Sequence, residues 1–205
     1  MAKGSRTSLF FAYLERLRWI RRWGLKRNVV EENVMEHSWQ VATIAHTLAL
    51  IARARHGMDV DPGEVAITAL YHDVSEIITG DLPTPVKYHS ENIRTAYKAI
   101  EKEAEKELLG TLPDYLQPAF QSYLLSDHIP ADTERYVKAA DLISAFLKCR
   151  METQAGNHEF EDAIRDVEQR IRALNFPPAE TFLAEFVDGF LLTLDELLRQ
   201  HDQQI

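Results

Sequence analysis

The sequence predicts an all-α fold for this chain of 205 residues. Apolar residues recur at intervals of three and four along almost every long segment, which is the period of an amphipathic helix. No segment alternates apolar and polar residues as a half-buried strand does. Apolar residues make up 45% of the chain, which is enough to bury a core, and neither a linker nor an internal repeat divides it. We therefore expect one helical domain over residues 1–205.

Two helices are predicted in the first quarter of the chain. Helix one is expected over about Thr7–Trp23 and helix two over about Val34–His56, each followed by a glycine. Glycine often follows a helix because it adopts the left-handed conformation without strain. Three arginines lie near the end of helix one, and the spacing of Arg18 and Arg22 would place both on one helix face.

The third helix has a clear start signal, with Asp61 as the N-cap residue and Pro62 at the first helical position. We expect it to continue to Gly80. The following segment, Gly80–Lys87, contains two prolines, which restrict the preceding residues to extended geometry and predict a stiff loop. This loop is well placed to contact a ligand, and the alternative is a simple connector.

The remaining helices follow in order along the chain. Their expected ranges are about Asn92–Leu109, Asp114–Leu125, Thr133–Thr153, a helix from Phe160 to Leu174, and, after Pro177–Pro178, a last helix through Leu198. Charged residues spaced by three and four in the first of these predict a solvated, ion-paired face. The last is rich in phenylalanine and is expected to pack against the bundle or a second subunit.

Composition limits the possible partners and location. The formal net charge of −9 argues against a nucleic-acid polymer, whose binding needs many Lys and Arg contacts. A small anionic substrate is still compatible, because a metal and a few arginines can reverse the field inside one pocket. Cys149 is the only cysteine, so it is expected to pack in the core. The chain has no signal peptide and no apolar run near the roughly 20 residues that span a bilayer, so we expect a cytoplasmic protein without a membrane partner.

Potential metal ligands occur in three predicted helices. His72 and Asp73 are adjacent, His37 lies in helix two, and Asp141 lies in the helix over Thr133–Thr153. The neighbours of Asp141 are mostly apolar, and a buried carboxylate is tolerated where it pairs with a cation or binds a metal. The alternative for Asp141 is a salt bridge to Lys138 or to a neighbouring arginine.

Two imidazoles and two carboxylates favour one divalent transition metal per subunit rather than Ca²⁺. We expect Co²⁺, Mn²⁺ or Cu²⁺, with Zn²⁺ or Fe²⁺ also compatible. Such an ion activates water and polarises a phosphoryl group. Glu76 lies one turn after the His72-Asp73 pair and is the candidate general base or water orienter, the alternative being a hydrogen bond that orients a ligand. Among the basic residues Arg18, Arg21 and Arg22, which could stabilise phosphoryl charge, at least one is expected to be an ordinary surface residue.

The order His, His-Asp, Asp resembles the HD superfamily of metal-dependent phosphohydrolases, whose fold is a helical bundle. Over almost its full length the chain is also similar to the bacterial 5'-deoxynucleotidase family. The matching stretches are Asn-Val-x-Glu-His-Ser at 33–38, Tyr-His-Asp-x-Ser-Glu at 71–76, Thr-Gly-Asp-Leu-Pro-Thr-Pro-Val-Lys-Tyr at 79–88, Tyr-Lys-Ala-Ile-Glu-Lys at 97–102 and Leu-Lys-Cys at 147–149.

This resemblance implies a homodimer that hydrolyses 2'-deoxyribonucleoside 5'-monophosphates to deoxynucleoside and phosphate. It implies that Arg22 orients the phosphate as a catalytic residue, that Trp23 lies against the sugar, and that Asp81 contacts the 3'-hydroxyl. The metal ligands would be His37, His72, Asp73 and Asp141. The substrate-binding set would be Arg22, Trp23, His37, Asp73, Asp81, Leu82, Pro83, Thr84 and Asp141.

Two alternatives stay open at this point. One is an HD hydrolase that acts on a signalling nucleotide such as guanosine tetraphosphate, although such enzymes usually have longer chains. The other is a nucleotide-sensing HD domain that binds without turnover. The presence of the complete ligand set and of Glu76 argues against the second.

Overall fold

The computed structural model describes residues 7–87 and 89–204. Within these residues the secondary structure is helical, and the only pairing of extended backbone is an isolated bridge between Arg21 and Asn33. The helices are α1 (Phe10–Leu14), α2 (Val34–His56), α3 (Pro62–Leu70), α4 (Glu76–Thr79), α5 (Thr84–Lys87), α6 (Glu91–Gly110), α7 (Gln117–Leu124), α8 (Ala131–Gln154), α9 (Glu161–Ala173), α10 (Pro177–Phe186) and α11 (Leu194–Gln204). The predicted all-α class is confirmed.

Helices α2 and α8 form the centre of the bundle, with α3, α9 and α10 packed around them. The apolar positions of α2 recur with helical spacing, and Val41, Ile44 and Leu48 are buried. Cys149 of α8 is also buried, so its predicted packing role is confirmed. A smaller cluster joins Phe10 of α1 to apolar residues of α6 and α7.

Capping residues fix where α2 and α3 begin. The Asn33 side chain accepts a hydrogen bond from the Glu36 amide at 3.0 Å, which places His37 in the first turns of α2. Asp61 accepts from the Gly63 amide at 2.8 Å, as expected for the N-cap of α3. The bounds of α2 agree with the prediction, and Gly57 follows it with φ 61°.

The prediction of one helix over Thr7–Trp23 is wrong in its second half. After α1 the chain forms a 3-10 turn over Glu15–Trp19 and then leaves the helical path. The Arg22 amide donates to the Glu32 carbonyl at 3.0 Å, beside the bridge from Arg21. Trp23 has φ 59°, a left-handed conformation that a bulky residue rarely adopts. Arg22 and Trp23 therefore lie in an irregular loop, and Arg18 and Arg22 do not share a helix face.

The prediction of one helix from Asp61 to Gly80 is also wrong. Residues 71–75 form turns between α3 and α4, closed by bonds such as that from the Glu76 amide to the Asp73 carbonyl at 3.0 Å. These bonds join residues three apart, which winds the backbone more tightly than an α-helix. His72 contributes to the break, because its Nδ1 atom bonds the Ala69 carbonyl at 2.8 Å.

The later helices agree with the prediction except in three places. Helices α6 and α8 match within two residues. The loop after Gly80 contains α5, and the helix predicted from Asp114 begins only at Gln117. The last predicted helix is divided by a 3-10 turn over Val187–Leu191, which contains the weak helix former Gly189. No helix in the described ranges is long and apolar enough to cross a membrane.

Candidate active site

Three separate parts of the chain bring the predicted metal ligands together. His37 comes from α2, His72 and Asp73 from the turns after α3, and Asp141 from α8. One ligand atom from each of His37, His72 and Asp141 lies within 4.8 Å of the others. Asp73 lies outside that group of three, but its Oδ2 atom is 3.1 Å from His72 Nε2 and 3.5 Å from His37 Nε2.

Both histidines present the Nε2 atom to this cluster. His72 donates from Nδ1 to the Ala69 carbonyl at 2.8 Å. His37 Nδ1 lies 3.1 Å from the Ser144 hydroxyl, which donates its own proton to Gln40 Oε1 at 2.6 Å. The Ser144 hydroxyl must then accept a hydrogen bond from the N–H at His37 Nδ1, so the lone pair of each ring is on Nε2. That is the tautomer a metal ligand requires.

The residues present fit a divalent transition metal. The Nε2 atoms of His37 and His72 are buried and have no hydrogen-bond partner among the described residues. Buried polar atoms without a partner are rare because each one loses its hydration. The two lone pairs face carboxylates, with His37 Nε2 at 3.4 Å from Asp141 Oδ1. Imidazole nitrogen and carboxylate oxygen form a donor set that such ions prefer.

Both acids are held in the ionised form that a ligand needs. Burial alone would raise the pKa of Asp73, but His72, His37 and Arg22 outweigh burial and lower the pKa. Burial also opposes ionisation of Asp141, but the adjacent His37 and Lys138 side chains hold its pKa well below the ordinary value. The salt bridge considered as the alternative for Asp141 is present as well, with Lys138 Nζ at 3.2 Å from Oδ2.

Glu76 is a buried acid beside these ligands, and its Oε2 atom has no hydrogen-bond partner within the described part of the chain. Burial, together with the negative charges of Asp73 and Asp81, raises its pKa to about 9. An added positive charge at the ligand cluster would favour the ionised form. Glu76 therefore retains its proton at neutral pH unless a positive charge binds nearby.

Of the three predicted arginines, only Arg22 reaches the site. Arg18 pairs with Glu15 at 2.9 Å and Arg21 pairs with Glu31 at 2.5 Å, all on the surface. The expectation that at least one of the three is a surface residue is confirmed. Arg22 is mostly buried, and its Nη1 atom lies 3.3 Å from Asp73 Oδ2.

A cavity of about 620 Å³ opens beside the cluster. Among the predicted site residues, its walls include Arg22, Trp23, Asp73, Glu76, Asp81, Leu82, Thr84 and Asp141. Pro83 lies instead at a smaller neighbouring cavity of about 160 Å³, which Arg22, Trp23, Asp81 and Thr84 share. His37 and His72 do not line the larger cavity. Its walls also include Lys138, the partner of Asp141, and three basic side chains that the sequence analysis did not select, namely Lys26, Lys87 and Arg170.

Helix α8 anchors the loop that carries Arg22 and Trp23. Glu152 accepts hydrogen bonds from the amides of Val29 at 2.9 Å and Val30 at 3.1 Å. Lys148 bonds both Glu152 and the Val30 carbonyl. Burial would raise the pKa of Glu152, but Lys148 and the other donors lower it to about 2. An ionised, fully bonded acid therefore fixes this loop against the helix that supplies Asp141.

Sequence reasoning missed three residues that support the site. Gln40 and Ser144 follow His37 and Asp141 by three positions on their helices. That spacing places each on the same face as its ligand and could have found them. Glu32 accepts hydrogen bonds from Arg22 and Trp23, but the sequence offers no signal for this contact.

The chain matches the family model described as 5'-deoxynucleotidase YfbR-like over residues 9–190. A 5'-deoxynucleotidase from Photorhabdus laumondii is 48% identical over 190 residues, which cover 93% of this chain and 96% of that protein. A 5'-deoxynucleotidase from Vibrio cholerae is 44% identical over 190 residues, which cover 93% of this chain and 98% of that protein.

Solved structures show the same fold. An HD-domain phosphohydrolase from Listeria innocua superimposes with a TM-score of 0.77 at 25% identity, over 95% of both chains. The cyanophage S-2L HD phosphohydrolase, solved with dA and one catalytic Zn²⁺ ion, has a TM-score of 0.58 at 20% identity over 94% of both chains. At that identity the second similarity shows the fold alone. The predicted HD-domain helical bundle is confirmed.

Proposed function

Because the chain belongs to the YfbR-like 5'-deoxynucleotidase family, we propose that the cavity beside His37, His72, Asp73 and Asp141 is where it hydrolyses 2'-deoxyribonucleoside 5'-monophosphates. The products are a deoxynucleoside and phosphate. The observation that carries the location is the pair of buried histidine Nε2 atoms that have no hydrogen-bond partner among the described residues and lie next to ionised carboxylates. The mostly buried Arg22 lies at the wall of the same cavity.

We assign one divalent transition metal per subunit to His37, His72, Asp73 and Asp141. The donor set suits Mn²⁺, Co²⁺, Fe²⁺, Zn²⁺ or Cu²⁺, and of these we expect Co²⁺, Mn²⁺ or Cu²⁺. Such an ion, when bound, polarises the phosphoryl group and lowers the pKa of a water molecule. When the ion is bound, His37, Asp73 and Asp141 also lie next to the substrate.

The protein's own residues orient the nucleotide around this centre. Arg22 donates from Nε and Nη1 to Glu32 and Asp73, and its Nη2 amino group forms no hydrogen bond within the described part of the chain. That group is free to bind a phosphate oxygen. Trp23 lies against the sugar, Asp81 accepts from the 3'-hydroxyl, and the segment from Leu82 to Thr84, including Pro83, binds the nucleoside and the phosphate. Glu76 accepts a proton from the attacking water.

Sugar discrimination gives the first test. Indole bulk against C2' leaves little room for a hydroxyl, and a pocket of this kind typically discriminates by about a hundredfold. Replacing Trp23 with alanine is therefore expected to narrow the ratio of kcat/KM for dAMP over AMP, with some loss of rate. Phosphate release from both nucleotides measures this ratio. The Trp19→Ala variant is the matched control, because Trp19 is an exposed residue of the preceding turn. If Trp23→Ala leaves the ratio unchanged, a residue other than Trp23 discriminates between the two sugars.

The hydrogen bond that orients His37 gives a second test. Replacing Ser144 with alanine removes the acceptor for His37 Nδ1 and is expected to weaken metal binding by about 10- to 100-fold, the usual effect of losing a hydrogen bond to a metal ligand. Competitive titration with a metal indicator measures the affinity without turnover. Ser38 is a suitable control, since it is equally buried beside His37 and its hydroxyl has no partner among the described residues. Equal affinities for Ser144→Ala and Ser38→Ala would remove Ser144 from the site.

The assembly and location implied by the family are also proposed. We expect a cytoplasmic homodimer, with a solution mass twice the 23.6 kDa of the chain. Light scattering coupled to size exclusion measures this mass. Activity on dAMP but not on guanosine tetraphosphate would separate the proposed function from a hydrolase of signalling nucleotides, and absence of turnover on any nucleotide would favour a sensing domain.

A further inference from the structure

One carboxylate joins the two side chains that we assign to the phosphate and the sugar. Glu32 Oε2 accepts from Arg22 Nε at 3.1 Å and from Trp23 Nε1 at 2.8 Å. The side chains of Arg22 and Glu32 are 12% and 13% exposed, so this contact is largely shielded from water. Charge-assisted hydrogen bonds in such surroundings are stronger than those between neutral groups.

The backbone strengthens the same connection. The Arg22 amide donates to the Glu32 carbonyl at 3.0 Å, so the two residues are joined through main chain and side chain. Trp23 adopts φ 59°, and a strained conformation of this kind persists only where the surroundings fix it. The indole ring also packs on Phe160, with ring centroids 5.4 Å apart. Glu32 therefore holds the N–H edge of the indole, while Phe160 packs against the ring at a tilted angle.

The same carboxylate sets the direction of the Arg22 guanidinium. Nε is directed to Glu32 and Nη1 to Asp73, and because the group is planar, these two bonds leave one orientation for Nη2. Without Glu32, Asp73 would be the nearest remaining acid partner of Arg22. Arg22 would then be free to turn about that single contact.

We propose that Glu32 is a positioning residue that places the phosphate-binding Arg22 and the sugar-selecting Trp23 in one fixed relation. It does not line the cavity of about 620 Å³ itself, so it acts through these two residues and not on the nucleotide. This inference rests on the proposed function and deepens it. The discrimination against a 2'-hydroxyl is set by the Glu32 carboxylate as well as by the bulk of the indole.

The first experiment compares Glu32→Gln with Glu31→Gln in the metal-loaded enzyme. Glutamine keeps the shape of Glu32 but loses the charge, whereas Glu31 is the adjacent acid, paired with exposed Arg21. We expect Glu32→Gln to raise KM for both nucleotides by roughly tenfold, as expected when a charged hydrogen-bond acceptor becomes neutral. The ratio of kcat/KM for dAMP over AMP should fall as well, while the metal content stays unchanged. Glu31→Gln should behave like the wild type. Kinetics and ratio equal to those of Glu31→Gln would overturn the proposal.

A double-mutant cycle isolates the role of the indole. Trp23→Phe keeps an aromatic ring but has no N–H for Glu32 to hold. Suppose that Glu32 acts on the sugar through that N–H. Adding Glu32→Gln to Trp23→Phe should then still raise KM, because Arg22 is affected, but it should not lower the ratio of kcat/KM for dAMP over AMP any further. Independent effects of the two substitutions on the ratio would contradict the coupling.

A spectroscopic measurement gives a readout without turnover. The chain has three tryptophans, so the Trp23 indole N–H resonance can be assigned by its loss in Trp23→Phe. Glu32→Ala removes the acceptor and should move that resonance while the other two stay in place, and an unmoved resonance would overturn the contact. If the wild type itself releases no phosphate from dAMP, the proposed function fails. If the wild type is active and only the Glu32 results are negative, this inference alone fails.

Discussion

Replacing Asp141 with alanine is expected to abolish both metal binding and phosphate release while the helices persist. Asp141 provides a carboxylate directed to His37 Nε2 at 3.4 Å, and alanine leaves that position without a ligand. A chelator should have the same effect on the wild type. Metal content, circular dichroism and phosphate release from dAMP, measured on the same sample, test this expectation.

The control for Asp141→Ala is Asp132→Ala, which removes an exposed acid from the first turn of the same helix. It should keep metal and activity. An Asp141→Ala variant that binds metal normally and turns over at the wild-type rate would show that the salt bridge to Lys138, and not metal binding, is the role of this acid.

Replacing Glu76 with glutamine is expected to lower kcat by roughly 10² to 10⁴, the usual contribution of general base catalysis. The amide keeps the shape of the side chain but cannot accept a proton from water. Metal and nucleotide binding should be retained, since the ligands and Arg22 are unchanged. Single-turnover rates and metal content, measured on the same preparation, test this expectation.

The pH profile provides a second readout for Glu76. A general base must be ionised, so the wild-type rate should fall as the pH drops through the pKa of Glu76 in the loaded enzyme. In the metal-free protein burial and the neighbouring acids raise that pKa to about 9, and the bound ion should bring it down. The pH profile of Glu76→Gln should not show this fall in rate at low pH. Loss of metal, with the rate restored at high metal concentration, would instead make Glu76 a residue that orients a ligand.

Much of the fold follows from local sequence, and the exceptions have a common cause. Helices α2, α6 and α8 are long, and their apolar spacing and caps predict them closely. The errors lie where distant partners compete with the helix. Hydrogen bonds to residues 32–34 turn the chain at Arg21 and Arg22, and the bond from the His72 ring accompanies the break after α3. Local periodicity contains no information about such partners.

The site shows the same difference between what local sequence predicts and what depends on distant contacts. Residue type and adjacency were sufficient to select His37, His72, Asp73, Asp141 and Glu76 as candidates. Arg22 could not be separated from Arg18 and Arg21 by charge alone, because the difference lies in burial against Asp73. The role of Ser144 depends on a contact with His37, more than 100 residues away in the sequence. The role of Glu32 depends on a loop with left-handed backbone at Trp23. These contacts are visible only in the folded structure.

Titration of metal-free protein with Mn²⁺ or Co²⁺, while phosphate release from dAMP and AMP is followed, tests the central claim most directly. We expect no turnover without metal, activity that rises in proportion to bound ion and saturates at one per subunit, and faster release from dAMP than from AMP. Full turnover by protein shown to be free of metal would contradict the assignment of His37, His72, Asp73 and Asp141.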